Sequence, residues 1–256
     1  MRIVQVVTRR QRRGAETFAA QLSDALVDRG HEVFLVGLYA PPSDPLVPNR
    51  AQVVDVGAKN RSALDLRLLS QFADRLSALQ PDIVQANGSD TLKYSVLARL
   101  RLGARWPLIY RNISIGSRWL RYPGHRLWVR WLLSRADFIV AVSEGARVDL
   151  ERSFALPPSR IRTIPIGTAI PAELRREETR RRIASEVGVS ETADLLLHIG
   201  SFSPEKNHLW LLECFEAISA QREDAHLLLV GDGNLRSTVQ KAVEERNLGR
   251  RVHFLG

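Results

Sequence analysis

Three short segments combine residue types and spacing suited to holding an anion. In Thr8-Arg9-Arg10-Gln11-Arg12-Arg13-Gly14-Ala15-Glu16, four arginines precede a glycine where a strand pattern gives way to a helical one. A helix N-terminus presents free N–H groups and the positive end of its dipole, and a glycine there lets a phosphate approach the backbone. The alternative is a solvated charged loop in which Gly14 makes a tight turn. In Gly200-Ser201-Phe202-Ser203-Pro204-Glu205-Lys206-Asn207, the lysine falls between a buried-type strand and an amphipathic helix. Open α/β sheets bind ligands at that end, and an ammonium there can neutralise a leaving diphosphate. A solvated lysine in a capping loop is the competing reading. The third segment, Val230-Gly231-Asp232-Gly233-Asn234, has Gly-x-Gly after a strand but lacks the third glycine of a dinucleotide fingerprint. It is either a phosphate cradle or a structural turn.

A fourth cluster is of another kind. Arg118, Trp119, Arg121, Tyr122, Arg126, Trp128, Arg130 and Trp131 gather within a short stretch, with Arg126 and Arg130 on one helical face. Aromatic side chains at a membrane interface with arginines on lipid phosphates would use this composition. The alternative packs Leu127, Trp131 and their apolar neighbours on a sheet and leaves the arginines in water. Pro123-Gly124 interrupts the segment, which argues against one long surface helix. The six histidines are scattered without ligand spacing, and the single Cys214 excludes an internal disulfide and a cysteine zinc site. Cys214 shares an apolar helical face with Leu211 and Ile218, so a buried, inert thiol is expected.

Short apolar runs alternate with amphipathic stretches along the whole chain, the βαβα rhythm of a parallel sheet. Strands are expected at 3–7, 33–37, 52–56, 83–86, 108–111, 138–142 and 161–164. Between the first two, Ala15, Phe18, Ala19, Leu22 and Leu26 recur at helical intervals and Gly30 supplies the stop. After Pro165-Ile166-Gly167 the pattern lapses into a charged segment, 173–182, where a domain boundary is placed, giving domains 1–170 and 171–256. The second series has strands at 195–199, 227–230 and 252–255, with helices from Asn207 and Leu235. It is short for an α/β domain and closes on a strand, so a truncated second domain is expected. The Ala40-Pro41-Pro42-Ser43-Asp44-Pro45 segment reads as a surface loop.

Composition bounds the partners. The 256 residues are 45% hydrophobic and 25% charged, as in soluble globular proteins, with no membrane-spanning run and no signal-peptide layout. A soluble, cytoplasmic protein is expected. The net charge of +9 favours anionic partners: nucleic acid, phosphorylated small molecules or an acidic membrane. The basic residues are dispersed through an α/β pattern without a recognised reading module, which argues against nucleic acid. Only four of the 37 basic residues are lysines, so a lysine within a motif carries more information than an arginine.

Seven phrases stand in a telling order: Arg13-Gly14-Ala15-Glu16; Arg29-Gly30-His31-Glu32-Val33; the run from Ala136 through Asp137, Val142 and Ser143 to Glu144; Ile164-Pro165-Ile166-Gly167; Ser203-Pro204-Glu205-Lys206; Val230-Gly231-Asp232-Gly233; and Val252-His253-Phe254-Leu255-Gly256. Together they resemble glycosyltransferase family 4 across essentially the whole chain. The resemblance implies the GT-B fold: a complete Rossmann-like N-terminal domain on the acceptor side and a partial Rossmann-like C-terminal domain on the nucleotide-sugar side, facing across a cleft. It further implies sugar transfer from a nucleotide-diphosphate sugar, with retention, in glycan or glycolipid biosynthesis. A GT-B nucleotide-sugar epimerase and a truncated, non-catalytic binding subunit are the alternatives.

By the same resemblance, Gly14, Ser201, Lys206 and Gly233 bind the donor diphosphate, and Arg13, Glu16 and Arg111 the acceptor. Lys206 and Asn112 are the catalytic residues. No metal or other cofactor is implied, the nucleotide sugar being a substrate. The implied partners are that donor and a phosphorylated or lipid-linked acceptor, with peripheral contact at the inner face of the membrane and no nucleic acid. Ser201 stands where the family usually has Arg, leaving the leaving-group site one cation short, and Arg111-Asn112 stands where a histidine is common. The family's Glu-x7-Glu segment would lie beyond Gly256, so this chain alone is expected to be inactive.

Overall fold

The computed structural model describes residues 1–59, 64–120, 122, 124–167 and 175–256. The chain divides into two compact units, Met1–Thr168 and Ala169–Gly256. The expected boundary between 170 and 171 lies outside the described residues, as do Arg121, Pro123 and the first two residues of the 173–182 segment.

In the first unit, seven parallel strands β1 (Arg2–Arg9), β2 (Glu32–Tyr39), β3 (Gln52–Ala58), β4 (Ile83–Asn87), β5 (Leu108–Asn112), β6 (Phe138–Ala141) and β7 (Ile161–Thr163) form one sheet. Its order is β3-β2-β1-β4-β5-β6-β7. Ile3 pairs with Val33 on one side and Ile83 on the other, so β1 is central, and its Val4, Val6 and Val7 are fully buried. A strand covered on both faces is mostly apolar, and the buried Gln5 is the exception in β1. The connecting helices are α1 (Gly14–Val27), α2 (Leu66–Leu79), α3 (Ser89–Leu102), α4 (His125–Ser134) and α5 (Glu144–Phe154). The Asp65 carboxylate caps α2 by accepting from the Arg67 and Leu68 N–H groups, and α3 ends at Gly103 with φ +59. The order reverses between β1 and β4, which opens a crevice at their carboxyl ends, where the N-termini of α1 and α3 begin.

Helix α4 buries Leu132 and Leu133 but leaves Leu127 70% exposed. The packing expected of Leu127 is therefore not made, whereas Trp131 does pack against the core. Arg10 is likewise not a solvated loop residue: it is buried and holds Asp55 bidentately, with Nη2 to Oδ2 at 2.6 Å. Gly37 makes room for this pair, since a Cβ there would lie 2.5 Å from Asp55 Oδ1.

The second unit comprises α6 (Arg176–Val187), β8 (Asp194–Ile199), α7 (His208–Ser219), β9 (Ala225–Val230), α8 (Arg236–Glu245) and β10 (Val252–Leu255), with its three strands parallel in the order β10-β9-β8. Phe202, Leu212, Phe215, Leu227 and Leu229 centre its core. Cys214 is half-buried rather than buried, because the apolar face of α7 turns Leu212 and Phe215 inward and places the thiol beside it. The charged segment is also more ordered than its composition suggests: from Arg176 it is helix α6, with Glu177 and Glu178 at the dipole's positive end.

Candidate functional site

In the first unit the candidate residues gather at the carboxyl ends of the strands. Arg13 is the N-cap of α1 and supplies no side-chain cap, so the first N–H groups of the helix are not satisfied by that side chain. Gly14 has an ordinary helical conformation and a Cβ there would meet nothing within 4 Å, so the chain itself does not require a glycine at this point. Glu16, one turn in, is buried and accepts from Gln11 Nε2 at 3.3 Å. Burial raises its pKa above the ordinary carboxylate value, against the lowering effect of its hydrogen bonds and of Arg13.

Arg111 is the least ordinary of these residues. It is the penultimate residue of β5, paired with Asn87 on β4, and is only 2% exposed. Its guanidinium lies over the Phe18 ring of α1 at 3.8 Å from the centroid. Neither Nη1 nor Nη2 has a hydrogen-bond partner among the described residues. Burial pulls its pKa down to about 10, which still leaves it cationic at neutral pH. A buried, charged fork without a carboxylate is costly to keep and is suited to receiving an anion. Beside it, Asn112 is also 2% exposed, its Oδ1 accepts from Tyr110 Oη at 3.4 Å, and its Nδ2 has no partner among the described residues. Asn87 Nδ2 donates to Gln5 Oε1 at 3.0 Å and to the Val6 carbonyl at 3.2 Å, tying β4 to β1 where the sheet order reverses.

In the second unit, Ser201, Lys206 and Gly233 come together around the end of β8. Lys206 closes a 3-10 turn, Pro204–Lys206, just ahead of α7 and is exposed. Its stem lies along Gly200, where a Cβ would stand 3.4 Å from Lys206 Cδ and Cε. The Ser201 hydroxyl meets the Ser203 hydroxyl at 3.1 Å. Gly233 has a local reason to be glycine: at φ +159 its Cβ would fall 2.5 Å from the Phe202 carbonyl oxygen. Gly231, at φ +140, would strike the Gly200 carbonyl in the same way. The two strand-to-helix loops thus pack backbone on backbone, with Phe202 N–H donating to the Asp232 carbonyl at 3.0 Å and Leu235 N–H to that of Phe202 at 3.1 Å.

Sequence reasoning missed the histidines here, because pairs distant in sequence meet only across the fold. His208, the first residue of α7, is 3% exposed, stacks on Phe202 at 4.4 Å and meets His198 edge-on at 4.9 Å. Burial first, then His198 and Lys206, lowers its pKa. His226 Nδ1 and His253 Nε2 are 3.1 Å apart, and burial is also the main cause lowering both. Among the described residues, no group of three or more His, Cys, Asp or Glu side chains is placed to hold a metal ion.

Residues 12–170 match the family description Glycosyltransferase Family 4, which is more than half of the chain. The chain belongs to glycosyltransferase family 4. Residues 179–256 match a second description, Glycosyl transferases group 1. Among relatives of this family 4 protein, N-acetyl-alpha-D-glucosaminyl L-malate synthase of Bacillus anthracis is 25% identical over 95% of this chain and 65% of its own length. A GDP-mannose-dependent monoacylated alpha-(1-6)-phosphatidylinositol monomannoside mannosyltransferase of Corynebacterium glutamicum is 24% identical over 54% of this chain and 36% of its own. This chain thus spans less than two thirds of either relative. The solved structure of Anabaena HepE in complex with UDP and glucose has a TM-score of 0.78 at 16% identity, covering 99% of this chain and 68% of that one. That likeness shows the fold, which is of the GT-B type.

Proposed function

We propose that the protein transfers a sugar from a nucleoside-diphosphate sugar to an anionic acceptor, with retention of anomeric configuration, in glycan or glycolipid biosynthesis. The observation that carries the reading is Arg111, a buried cation whose Nη atoms have no partner among the described residues, at the ligand end of the first sheet. The names of the two relatives support it, one containing L-malate and the other a phosphatidylinositol monomannoside, both anionic. UDP in the HepE structure supports a nucleotide donor. Nothing in the comparisons supports an epimerase.

In this reading the bond from the sugar C1 to the diphosphate oxygen breaks and an acceptor hydroxyl bonds to C1 on the same face. That approach sets the hydroxyl beside the departing oxygen, which takes its proton. Lys206 meets the charge that develops on the diphosphate, so its contact strengthens as the bond breaks. Ser201 offers a hydroxyl to the same group and Gly233 holds the loop beside it, while on the first unit Gly14 leaves the α1 N-terminus bare for an anion. Arg111 and Arg13 receive the acceptor's carboxylate or phosphate. Glu16 and the Asn112 amide hold hydroxyls; the amide cannot carry a proton near neutral pH, so its role is orientation. The donor is a substrate and the reading calls for no metal or other cofactor. A lipid-linked acceptor would bring the protein to the cytoplasmic face of a membrane, and nucleic acid has no part in the reaction.

The test is turnover of a panel of nucleotide sugars with and without malate, sugar phosphates and lipid phosphates, with the products weighed by mass spectrometry. A product that requires an anionic acceptor, and is lost in Arg111→Met, is expected. Neutral alcohols serving equally well, or a nucleotide sugar isomerised with no acceptor present, would overturn the reading.

A further inference from the structure

We propose that His208 is a second cation of the nucleoside-diphosphate site, neutral in the free protein and protonated when the diphosphate binds. The inference rests on the reading that Lys206 meets that diphosphate. His208 is the first residue of α7, two positions after Lys206. Its ring is 3% exposed, and neither Nδ1 nor Nε2 has a hydrogen-bond partner among the described residues. A phenylalanine would fill the same place without stranding two polar atoms, so packing alone does not account for an imidazole there. The His226–His253 pair differs in this respect, since Nδ1 of one meets Nε2 of the other at 3.1 Å.

The ring belongs to the same neighbourhood as the lysine. It stacks on Phe202 at 4.4 Å, and Phe202 is fixed by backbone hydrogen bonds to Asp232 and Leu235. His198, near the end of β8, meets His208 edge-on at 4.9 Å, and its Nε2 is also buried without a partner among the described residues. Gly200 lies between His198 and the lysine stem: a Cβ there would stand 3.5 Å from His198 Nε2 and 3.4 Å from Lys206 Cδ and Cε. A larger residue at 200 would push the two apart.

The surroundings of His208 keep it neutral while the site is free. Burial disfavours the imidazolium, and His198 of β8 and Lys206 of the turn repel it. The positive end of the α7 dipole acts in the same direction. Of the other charged groups nearby, Arg236 is engaged by the Gly231 carbonyl and by Asp232, and Glu205 of the turn is exposed. From β10 comes only the ring of Phe254, stacked on Phe202 at 5.8 Å. A doubly charged diphosphate beside Lys206 reverses the balance, because it offsets the lysine and the helix dipole in an interior where charges are weakly screened. The Phe202 face under the ring then favours the imidazolium as well. The proton comes from solvent on binding and returns there on release.

The experiment is isothermal calorimetry of the protein with UDP-glucose and GDP-mannose, in buffers of different ionisation enthalpy, across mildly acid to mildly basic pH. Both diphosphates are esterified at each end, so the ligand itself takes up no proton in this range. Binding is expected to carry proton uptake that grows as pH falls, with affinity rising by up to about tenfold per pH unit, the limit for one proton. His208→Phe keeps the stack on Phe202 and should abolish both effects while melting no lower than wild type. Imidazole NMR of the wild-type protein gives a reading that needs no variant: the nucleotide sugar should raise the pKa of His208. Binding without proton uptake, uptake that persists in His208→Phe, or a His208 pKa that the nucleotide leaves unmoved would each overturn the proposal and leave the Lys206 reading standing. Binding undiminished in Lys206→Ala, or no binding of either nucleotide sugar at any pH, would overturn both.

Discussion

Replacing Arg111 with methionine should make the protein more stable and worse at binding its acceptor. The guanidinium is 2% exposed and its Nη1 and Nη2 find no acceptor among the described residues. Leaving a buried donor unpaired costs about 1–3 kcal/mol, more for a charged group. The stack on Phe18, at 3.8 Å, returns about 0.5–2 kcal/mol, and the methionine recovers part of that as apolar packing. The net gain for Arg111→Met is about 1–2 kcal/mol, a rise in melting temperature of roughly 2–8 °C for a domain of this size. A bound anion reverses the balance, because a charge-assisted contact of about 1.5–3 kcal/mol corresponds to about 10- to 150-fold in affinity. The assay is thermal denaturation in the presence and absence of malate or phosphate. The wild-type protein should gain stability with the anion, and Arg111→Met should start higher and respond little. A variant that melts lower than wild type and keeps the full anion response would refute the argument, since Arg111 would then be a structural residue with partners of its own.

The other expectations concern single groups. Gly233→Ala should cost the second unit roughly 2–3 kcal/mol, because its Cβ would fall 2.5 Å from a backbone oxygen, whereas Gly14→Ala should change stability by no more than about 0.5 kcal/mol and weaken anion binding; urea denaturation and calorimetry separate the two effects. Asp55→Ala strands the buried Arg10 and should cost about 3 kcal/mol in the same denaturation assay. His208, His226 and His253 all have native pKa values below 6.5, so below pH 6.5 the unfolded chain binds more protons than the native one. Their contribution is therefore fully present above about pH 6.5 and is lost as pH falls toward the lowered native values; urea midpoints followed from neutral to mildly acid pH should drop, and less so in His208→Gln. Lys206→Ala should weaken nucleoside-diphosphate binding about 10- to 100-fold in calorimetry with the melting temperature unchanged, and Lys206→Arg should recover part of that affinity.

The ten strands of the described residues were legible because parallel strands in a covered sheet run mostly apolar, as at 33–37 and 227–230, although β1 buries Gln5 and β8 leaves Leu197 and Ile199 exposed. Helix α6 was not. It buries only Ala184, so no apolar stripe marks it, and it is supported by acidic residues at its start and by the pairing of Arg181 with Glu177, which composition alone does not separate from a charged linker. Lys206 and Gly14 stood out because each occupies a junction between a strand and a helix. The environment of Arg111 did not, since Phe18 is 93 positions away and reaches it only once α1 lies over the sheet. The glycines of Gly231-Asp232-Gly233 looked like a cradle for a ligand, and the fold gives them a second reason to be there, the close approach of the 200–202 backbone.

The most direct measurement follows the reaction itself by proton NMR, with the protein, an α-linked nucleotide sugar and an anionic acceptor in the tube. The account predicts that the first product to appear carries the sugar in α linkage to the acceptor, with nucleoside diphosphate released in step and nothing formed when the acceptor is left out. A β-linked first product, or a new nucleotide sugar arising without acceptor, would contradict it.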